Sequence, residues 1–320
     1  MFKKVLVAVS LGLTLTSLQS VASEESLFQK FPVNPELTEV LKDGTEVTMP
    51  FHIQGTTTAI VSFLDAKEAN KFVDHSQFKA VNITCNGEPT GLGIGVLYVQ
   101  DVATSPVGSY QETVNTVMVQ DKTVPDMELG CPPPASSDSL TQMNYLLTAF
   151  GVMAAYNQAE TEAGLPNKYA MYNDHLELNS QDSINAGREI WGYPKFYSDF
   201  DVQITDSDFI VKVTDERNAK PIVEFSYLRQ IGLETPLYNL GDNVVPERNI
   251  PSDDQLGQLS GVLATCDGTT GWIQPFMGQF QAYNNAGSRT GRALVRTGFE
   301  PVAVMEFTKV CGVAMPAYKR

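Results

Sequence analysis

The sequence predicts a β-rich α+β fold: a mainly antiparallel, barrel-like sheet with a few helices. Two observations lead to this expectation. Segments dense in β-branched and aromatic residues outnumber the segments with helical periodicity. Strand-like and helix-like segments also do not alternate, as they would in a fold built from βαβ units. Many strands separated by turn residues are typical of antiparallel sheets and barrels.

The strand-like segments follow a polar, proline-containing arm at 23–50. They are 57–63, 78–84, 93–99, 201–204, 209–213, 221–225 and 302–310. Gly91, Gly93 and Gly95 lie at the third of these segments, but they lack the G-x-G-x-x-G spacing and a strand follows them. They therefore indicate a bulge or a barrel corner, and not a dinucleotide site.

Two helix starts precede the middle of the chain. Asp65 with Glu68 three residues later is typical of an N-cap, and Ser139 with Gln142 has the spacing of a capping box. The apolar face expected for the first helix is Ala69, Phe72 and Val73. The second helix repeats Met143, Leu146, Leu147, Phe150, Met153 and Ala154. This helical spacing predicts a face that packs into the core.

A third helix is expected at 181–190, with Ser180 as its cap. Gly192 and Pro194 follow, and both residue types end helices. The chain therefore turns sharply just before Lys195.

The first 22 residues have the three parts of a secretory signal peptide: Lys3 and Lys4, an apolar run at 5–18, and small residues around Ala22. The alternative is an uncleaved membrane anchor, but the run is short and is interrupted by Ser and Thr. The sequence thus predicts an exported protein, periplasmic or secreted. The mature chain, 23–320, is expected to be a single domain.

The chain is acidic. Lys and Arg number 22 against 37 Asp and Glu, a formal net charge of −15. Removing Lys3 and Lys4 with the signal peptide would take the charge to −17. Such a surface repels nucleic acid and anionic lipid, so we expect neither as a partner of the mature protein.

Four cysteines in an exported chain permit two disulfides, with three possible pairings. We favour the pairs that are nearest in sequence, which are Cys85–Cys131 and Cys266–Cys311. No C-x-x-C occurs, and the three histidines, His52, His75 and His175, are not closely spaced. We therefore expect no metal site and no cofactor.

One segment could carry chemistry. Lys195 follows a helix stop and the rigid pair Tyr193-Pro194. The aromatic residues around it are Trp191, Tyr193, Phe196 and Tyr197. Apolar surroundings disfavour the charged form of a lysine, and a neutral amine can attack a carbonyl.

Here the sequence resembles the acetoacetate decarboxylase family, whose motif is close to G-R-E-x-x-x-Y-P-K. The matching residues are Gly187, Arg188, Glu189, Tyr193, Pro194 and Lys195. A second signature, G-x-Y-x-E, is matched upstream by Gly108, Tyr110 and Glu112. The separation between the two is about twice that of the family, which fits an insertion at 121–167. The resemblance implies a barrel-like fold, a homo-oligomer and a small-molecule carbonyl substrate.

The resemblance also implies roles for individual residues. Lys195 falls on the lysine that forms a Schiff base, and Glu112 is the candidate for proton handling. The candidate substrate-binding residues are Arg188, Glu189, Tyr193, Tyr110, Trp191 and Phe196. Plainer alternatives stay open: Lys195 on the surface, Glu112 as a solvated strand residue, and Arg188 with Glu189 as an ion pair that holds the helix.

Three positions depart from the family pattern. A second lysine follows the reactive one in acetoacetate decarboxylase, where the adjacent cation is one means of activation; here the residue is Phe196. The family's arginine near the first strand is matched by Thr56 or Thr57, and a further pocket glutamate by Gly95, Tyr98 or Gln100. The expected activity is decarboxylation of a β-keto acid such as acetoacetate. The alternatives are aldolase or dehydratase chemistry in the same family, or a non-catalytic periplasmic binding protein.

Overall fold

A computed structural model gives the fold. It describes residues 27–30, 32–230, 232–235, 243–246, 258–259, 261–266, 271–285 and 287–314. The predicted signal peptide at 1–22 lies outside the described residues, so its prediction stands as made.

Strands dominate the described chain. They are β1 (Asn34–Val40), β2 (Glu46–Met49), β3 (Phe51–Asp65), β4 (Phe78–Ala80), β5 (Ile83–Cys85), β6 (Glu88–Pro89), β7 (Leu92–Thr104), β8 (Tyr110–Asp121), β9 (Met127–Glu128), β10 (Tyr169–Leu178), β11 (Lys195–Ile204), β12 (Asp208–Asp215), β13 (Lys220–Leu228), β14 (Leu233–Thr235), β15 (Asn243–Val244), β16 (Gln258–Leu259), β17 (Gly261–Thr265), β18 (Gly271–Pro275), β19 (Gly278–Ala282) and β20 (Glu300–Ala314). The helices are α1 (Leu27–Lys30), α2 (Ala66–Asn70), α3 (Ser139–Glu162), α4 (Gln181–Trp191) and α5 (Arg289–Arg296).

One large sheet runs in the order β14-β18-β20-β3-β7-β8-β10-β11-β12-β13-β19. Its neighbours are antiparallel, as predicted, except that β11 and the short β15 run parallel to β10. The predicted strand-rich, mainly antiparallel architecture is confirmed, and over the described residues this barrel-like sheet is not closed into a barrel. β18 ends at Pro275, which has no amide hydrogen to extend a ladder, and the chain after it pairs with β13 instead.

The central strands are buried on both faces. In β3, Ile60 belongs to one apolar cluster, together with Leu97 of β7 and Val117 of β8. The neighbouring Val61 belongs to a second cluster, which includes Met118. Because side chains alternate along a strand, each cluster lies on its own face of the sheet. A strand buried on both faces carries apolar residues in sequence, which explains the dense runs that predicted it.

Two of the predicted helices differ in detail from the prediction. Asp65 caps α2 through the Glu68 amide, as expected, but the helix ends at Asn70, so Phe72 and Val73 lie beyond it. The cap of α3 is Asp138 and not Ser139. Asp138 prevails because its carboxylate accepts hydrogen bonds from both the amide and the hydroxyl of Thr141, at 2.9 and 2.8 Å.

Helix α3 lies within the segment 121–167 and packs on the second apolar cluster through Met143, Leu146 and Phe150. Its apolar stripe is therefore core, as predicted. None of the described helices is both long and apolar enough to cross a membrane. Both favoured disulfides, Cys85–Cys131 and Cys266–Cys311, are present.

Candidate active site

Lys195 and Glu112 meet on one face of the large sheet. Lys195 is the first residue of β11 and lies beside Leu176 of β10. Glu112 lies on β8, opposite Leu178, which is on β10 like Leu176. Leu176 and Leu178 share a face because they are two residues apart. The Lys195 Nζ lies 3.2 Å from Glu112 Oε2.

The turn after α4 places Lys195 at this position. Ser180 caps the helix, as predicted, by accepting a hydrogen bond from the Ser183 amide at 3.3 Å. Gly192 ends it in the left-handed conformation, with a φ of 70°. The Tyr193 amide then donates to the Gly187 carbonyl at 3.0 Å, so the chain folds back along its own helix.

Gly187 leaves room for the stem of the lysine. A Cβ at this position would lie 2.5 Å from Lys195 Cδ and 2.6 Å from Cε. Carbon atoms do not approach so closely without displacement. The first residue of the G-R-E motif is therefore a glycine because the lysine side chain crosses the helix there.

The amine and the carboxylate are both enclosed, since Lys195 and Glu112 are each 6% exposed. The Lys195 Nζ donates a hydrogen bond to Ser183 Oγ at 3.1 Å. Glu112 Oε2 has no hydrogen-bond partner, so its contact with the ammonium is a charge pair without hydrogen-bond alignment. A buried charge pair of this kind is held mainly by mutual attraction of the two charges in a medium of low dielectric constant.

Two tyrosines flank the amine. Its nitrogen lies 5.4 Å from the ring centre of Tyr110 and 5.8 Å from that of Tyr193. Burial raises the pKa of both phenols well above the ordinary value of 10, and the charge of Glu112 adds to the effect. A hydrogen bond from Ser183 opposes the shift of the Tyr110 pKa, and one from Asn173 opposes that of the Tyr193 pKa. Both phenols are therefore protonated donors at neutral pH.

Arg188 and Glu189 contact backbone groups. The Arg188 guanidinium donates to the carbonyl oxygen of Lys195 through Nε, at 2.8 Å, and through Nη2. Glu189 Oε2 accepts from the amide of Lys42 at 2.9 Å. Arg188 thus fixes the backbone of the reactive segment, and Glu189 ties α4 to the chain after β1.

Trp191 and Phe196 lie apart from the amine. Trp191 packs edge-on against Phe51 in a separate apolar cluster, with ring centres 5.1 Å apart. Phe196 follows Lys195 along β11 and therefore points to the opposite face. There it stacks on His175 at 3.9 Å, and Arg188 lies over its ring at 5.1 Å.

That opposite face carries a second polar cluster. Glu177 accepts hydrogen bonds from Ser198 at 2.7 Å and from Ser288 at 3.0 Å. Burial raises the pKa of Glu177 to about 7. Burial, with the nearby arginine charges, lowers the pKa of His175 to about 3. Both groups are enclosed and lie behind the sheet from Lys195.

Two of the positions that depart from the family pattern line up with Glu112. Thr57 of β3 lies opposite Gln100 of β7, and Gln100 lies opposite Glu112. Directly opposed residues share a face, so these three side chains form a row across three strands. The row carries one charge, on Glu112. Thr56 points to the other face.

Sequence reasoning missed Ser183, the hydroxyl that holds the amine. It lies four residues before Gly187, a spacing that places both residues on one face of α4. The signal was therefore available once Gly187 was assigned to the face that meets the lysine. Asn173, the partner of Tyr193, gave no comparable signal because a bulge in β10 shifts its register.

A cavity of about 360 Å³ lies elsewhere. Its lining residues are Asp206, Arg229, Gln230, Trp272, Gln274, Val304 and Glu306. Glu306 pairs with Thr58, whose side chain lies on the opposite face from Thr57. Size alone does not make this the reactive site, since it lacks the buried amine.

Over the described ranges, no group of three His, Cys, Asp or Glu side chains could hold a metal ion.

Solved structures with the same fold include two enzymes. The acetoacetate decarboxylase of Legionella pneumophila subsp. pneumophila str. Philadelphia 1 is 12% identical, with a TM-score of 0.52 over 84% of this chain and 86% of that one. The enduracididine biosynthesis enzyme MppR, complexed with pyruvate, is 8% identical, with a TM-score of 0.50 over 84% and 91%. At these identities the similarity shows a common fold. No curated protein matches the chain.

The family comparison is more direct. The profile of "Acetoacetate decarboxylase (ADC)" matches residues 41–239, which is more than half of the 320 residues. The match contains Lys195, Glu112 and the helix between them that carries Gly187. The chain therefore belongs to the acetoacetate decarboxylase family.

Proposed function

We propose that the protein is a Schiff-base-forming lyase that acts on a small carbonyl substrate through Lys195. The observation that carries the proposal is the enclosed amine of Lys195, 3.2 Å from Glu112. Membership of a family whose members are enzymes, mostly lyases, supports Schiff-base chemistry in general. An amine next to a base within hydrogen-bond reach is the arrangement that nucleophilic catalysis needs.

In this mechanism Glu112 first takes a proton from the Lys195 ammonium. The free amine adds to the carbonyl carbon to give a neutral carbinolamine. Glu112 then returns its proton to the departing hydroxyl, and loss of water leaves a protonated imine. The positive charge of the imine then lies where the charge of the ammonium was. Glu112, which is a carboxylate again after it has lost the proton, lies beside this positive charge. Such a preplaced opposite charge stabilises a cationic intermediate without reorganisation.

Decarboxylation of a β-keto acid such as acetoacetate follows from the protonated imine. The bond to the carboxylate carbon breaks, CO₂ leaves, and the electron pair moves toward the imine nitrogen to give an enamine. Protonation of the enamine carbon and hydrolysis of the imine release the ketone and restore Lys195. Tyr110 and Tyr193, as protonated phenols near the amine, are the candidate donors for the carbon.

Aldol-type chemistry is the second candidate. Apart from Lys195, the row that contains Thr57, Gln100 and Glu112 presents no cation to a substrate carboxylate, and Phe196 stands where the family has a second lysine. MppR has the same fold as this chain, and the pyruvate bound to MppR is an α-keto acid. An enamine on Lys195 that meets an aldehyde would form a carbon–carbon bond in place of releasing CO₂.

Trapping with sodium borohydride tests both candidates. Incubation with acetoacetate, other β-keto acids or pyruvate, followed by reduction, is expected to add the mass of the reduced adduct to the Lys195 peptide. The Lys195→Met variant, which keeps the apolar stem, is expected to show no adduct. Release of CO₂ from a β-keto acid supports decarboxylation, and an aldehyde-dependent condensation product supports the aldol reaction. Ligand binding without any adduct would contradict the enzyme proposal and favour a binding protein.

The two disulfides support an exported location, periplasmic or secreted, because oxidising compartments preserve such bonds. We also propose a single domain from 23 to 320 and a homo-oligomer, as the family resemblance implies.

A further inference from the structure

The strand that carries the reactive lysine changes its neighbour soon after it begins. Lys195, Phe196 and Tyr197 pair with β10, and the pairing of β11 with β12 starts at Ser198. A ladder of three residues holds a segment weakly, because local stability depends on the number of hydrogen-bonded and packed residues. The start of β11 therefore depends on side-chain contacts at the point where it passes from one neighbour to the other.

Glu177 of β10 makes such a contact. It lies opposite Phe196, and Ser198 lies two residues further along β11, so Glu177 and Ser198 share the face opposite the amine. Ser198 Oγ donates a hydrogen bond to Glu177 Oε2 at 2.7 Å. Both side chains are buried, so bulk water does not compete for this hydrogen bond. It fastens β11 to β10 one residue beyond the last pair of their ladder.

The other oxygen of the same carboxyl group contacts a different element. Ser288 Oγ donates to Glu177 Oε1 at 3.0 Å. Ser288 is the N-cap of α5 and accepts from the amide of Gly291 at 3.2 Å. The carboxyl group therefore joins β10, β11 and α5, and the bond to Ser198 is the one that reaches the lysine strand.

The position of the start of β11 determines where the amine lies. Lys195 precedes Ser198 by three residues, a distance of about 10 Å along a strand. Its carbonyl oxygen accepts from Arg188 Nε at 2.8 Å, and its Nζ lies 3.2 Å from Glu112 Oε2. A shift of β11 moves this amine relative to Glu112. Misplacement of a reacting group by about 1 Å typically costs about 10²-fold in rate.

We propose that Glu177 is a positioning residue for the reactive lysine and acts through Ser198. The proposal rests on the function proposed above. Glu177 lies on the face of the sheet opposite the amine, and we assign it no contact with the substrate. It holds the first residues of β11 against β10 from behind, so that Lys195 stays beside Glu112.

The two serines that share the carboxyl group provide a matched pair of variants. Ser198→Ala removes the hydroxyl on the lysine strand, and Ser288→Ala removes the hydroxyl on α5. Glu177→Leu removes both acceptor oxygens. Glu177→Gln is the conservative variant, because its amide oxygen accepts from one serine and its amide nitrogen donates to the other. Circular dichroism melting curves identify a temperature at which all four variants are folded.

The first measurement at that temperature is the rate at which acetone gives a borohydride-reducible adduct on Lys195. We expect Ser198→Ala and Glu177→Leu to slow this reaction by about 10- to 10²-fold. Glu177→Gln should recover most of the wild-type rate. Ser288→Ala should melt earlier than wild type, because α5 loses its cap, but it should react at the wild-type rate.

The second measurement needs no substrate. Hydrogen–deuterium exchange of the peptide that contains 195–198 should be faster in Ser198→Ala and Glu177→Leu, and unchanged in Ser288→Ala. If wild-type Lys195 forms no adduct, the proposed function fails, and exchange alone then tests whether Glu177 holds the lysine strand. Wild-type reactivity and exchange in Ser198→Ala would overturn the proposal. So would an equal loss of rate in Ser288→Ala and Ser198→Ala, because it would indicate a general effect on stability.

Discussion

A single glycine decides whether the Lys195 side chain fits beside its own helix. The methyl group of Gly187→Ala would overlap the Cδ and Cε atoms, so the lysine stem or α4 must shift. Overpacking of a buried site typically costs about 1–3 kcal/mol. We expect Gly187→Ala to lower the free energy of unfolding by about that amount and to reduce adduct formation at Lys195. Urea denaturation and borohydride trapping measure the two effects.

Gly151→Ala is the control for this prediction. Gly151 lies within α3, and a Cβ there meets no atom within 4 Å. Glycine in the middle of a helix is less stable than alanine by about 0.5–1 kcal/mol, so this variant should be neutral or more stable. A Gly187→Ala protein as stable and as reactive as wild type would refute the steric role of Gly187.

At the same scale, the resemblance located Lys195 and Glu112 from two short motifs, and the structure brings them to 3.2 Å. The motif residues Arg188 and Glu189 were expected to contact substrate, yet they contact backbone groups of Lys195 and Lys42. A motif indicates that a residue is important for the site, but it does not indicate which groups that residue contacts. Ser183 lies outside both motifs, and only the path of the lysine stem reveals it.

Strand β10 illustrates what an element contributes. Its residues alternate between the lysine face, where Leu176 and Leu178 lie, and the face that holds His175 and Glu177.

The unfolded-state pKa of Glu177 is about 4.5 and its folded value about 7. Between these values the native state holds a proton that the unfolded state has released, so this group lowers stability as pH rises from about 4.5 to 7.

His175 acts in the opposite direction. Its pKa falls from 6.5 to about 3 on folding, so the unfolded state binds the extra proton and stability rises with pH between these values. The two contributions therefore cancel between pH 4.5 and 6.5. The neighbouring charged groups that act on these two pKa values include Arg289 and Arg292 at His175 and Asp215 at Glu177.

Glu177→Gln should expose the histidine contribution. We expect the stability of wild type relative to this variant to fall as pH rises from about 4.5 to 7, by about 1.4 kcal/mol for each unit of the shift in pKa. Denaturant unfolding across this pH range measures the difference. Glu88→Gln, at an exposed position on β6, should show no such trend. A pH-independent difference between Glu177→Gln and wild type would contradict the assignment.

Over the whole molecule, the strand-rich, mainly antiparallel fold could be predicted because period-two and continuous apolar runs are local features. Whether the sheet closes could not be predicted from the sequence, because a contact between the end strands β14 and β19 depends on pairings between distant segments. The family match ends at residue 239, yet β20 lies beside β3 near the middle of the sheet. The chain beyond the family match therefore completes the sheet that holds the site.

The two disulfides join segments of the chain that are distant in sequence. Cys266–Cys311 joins the chain after β17 to β20, and Cys85–Cys131 joins β5 to the segment before α3. The bridged residues are 45 and 46 positions apart, and a bridge across such a loop restricts the unfolded chain. Each bridge is expected to contribute about 2–4 kcal/mol, so reduction should lower the melting temperature.

Alkylation of the denatured protein, purified from the exported fraction, should modify no thiol before reduction and four after it. In the variant with Cys85→Ala and Cys131→Ala, reduction should release two thiols, and the remaining loss of stability on reduction then belongs to the bridge that holds β20. This bridge should matter more for the site, because β20 supports β3 and the row from Thr57 to Glu112. Four thiols that react without reductant would refute both the bridges and the oxidising compartment inferred from them.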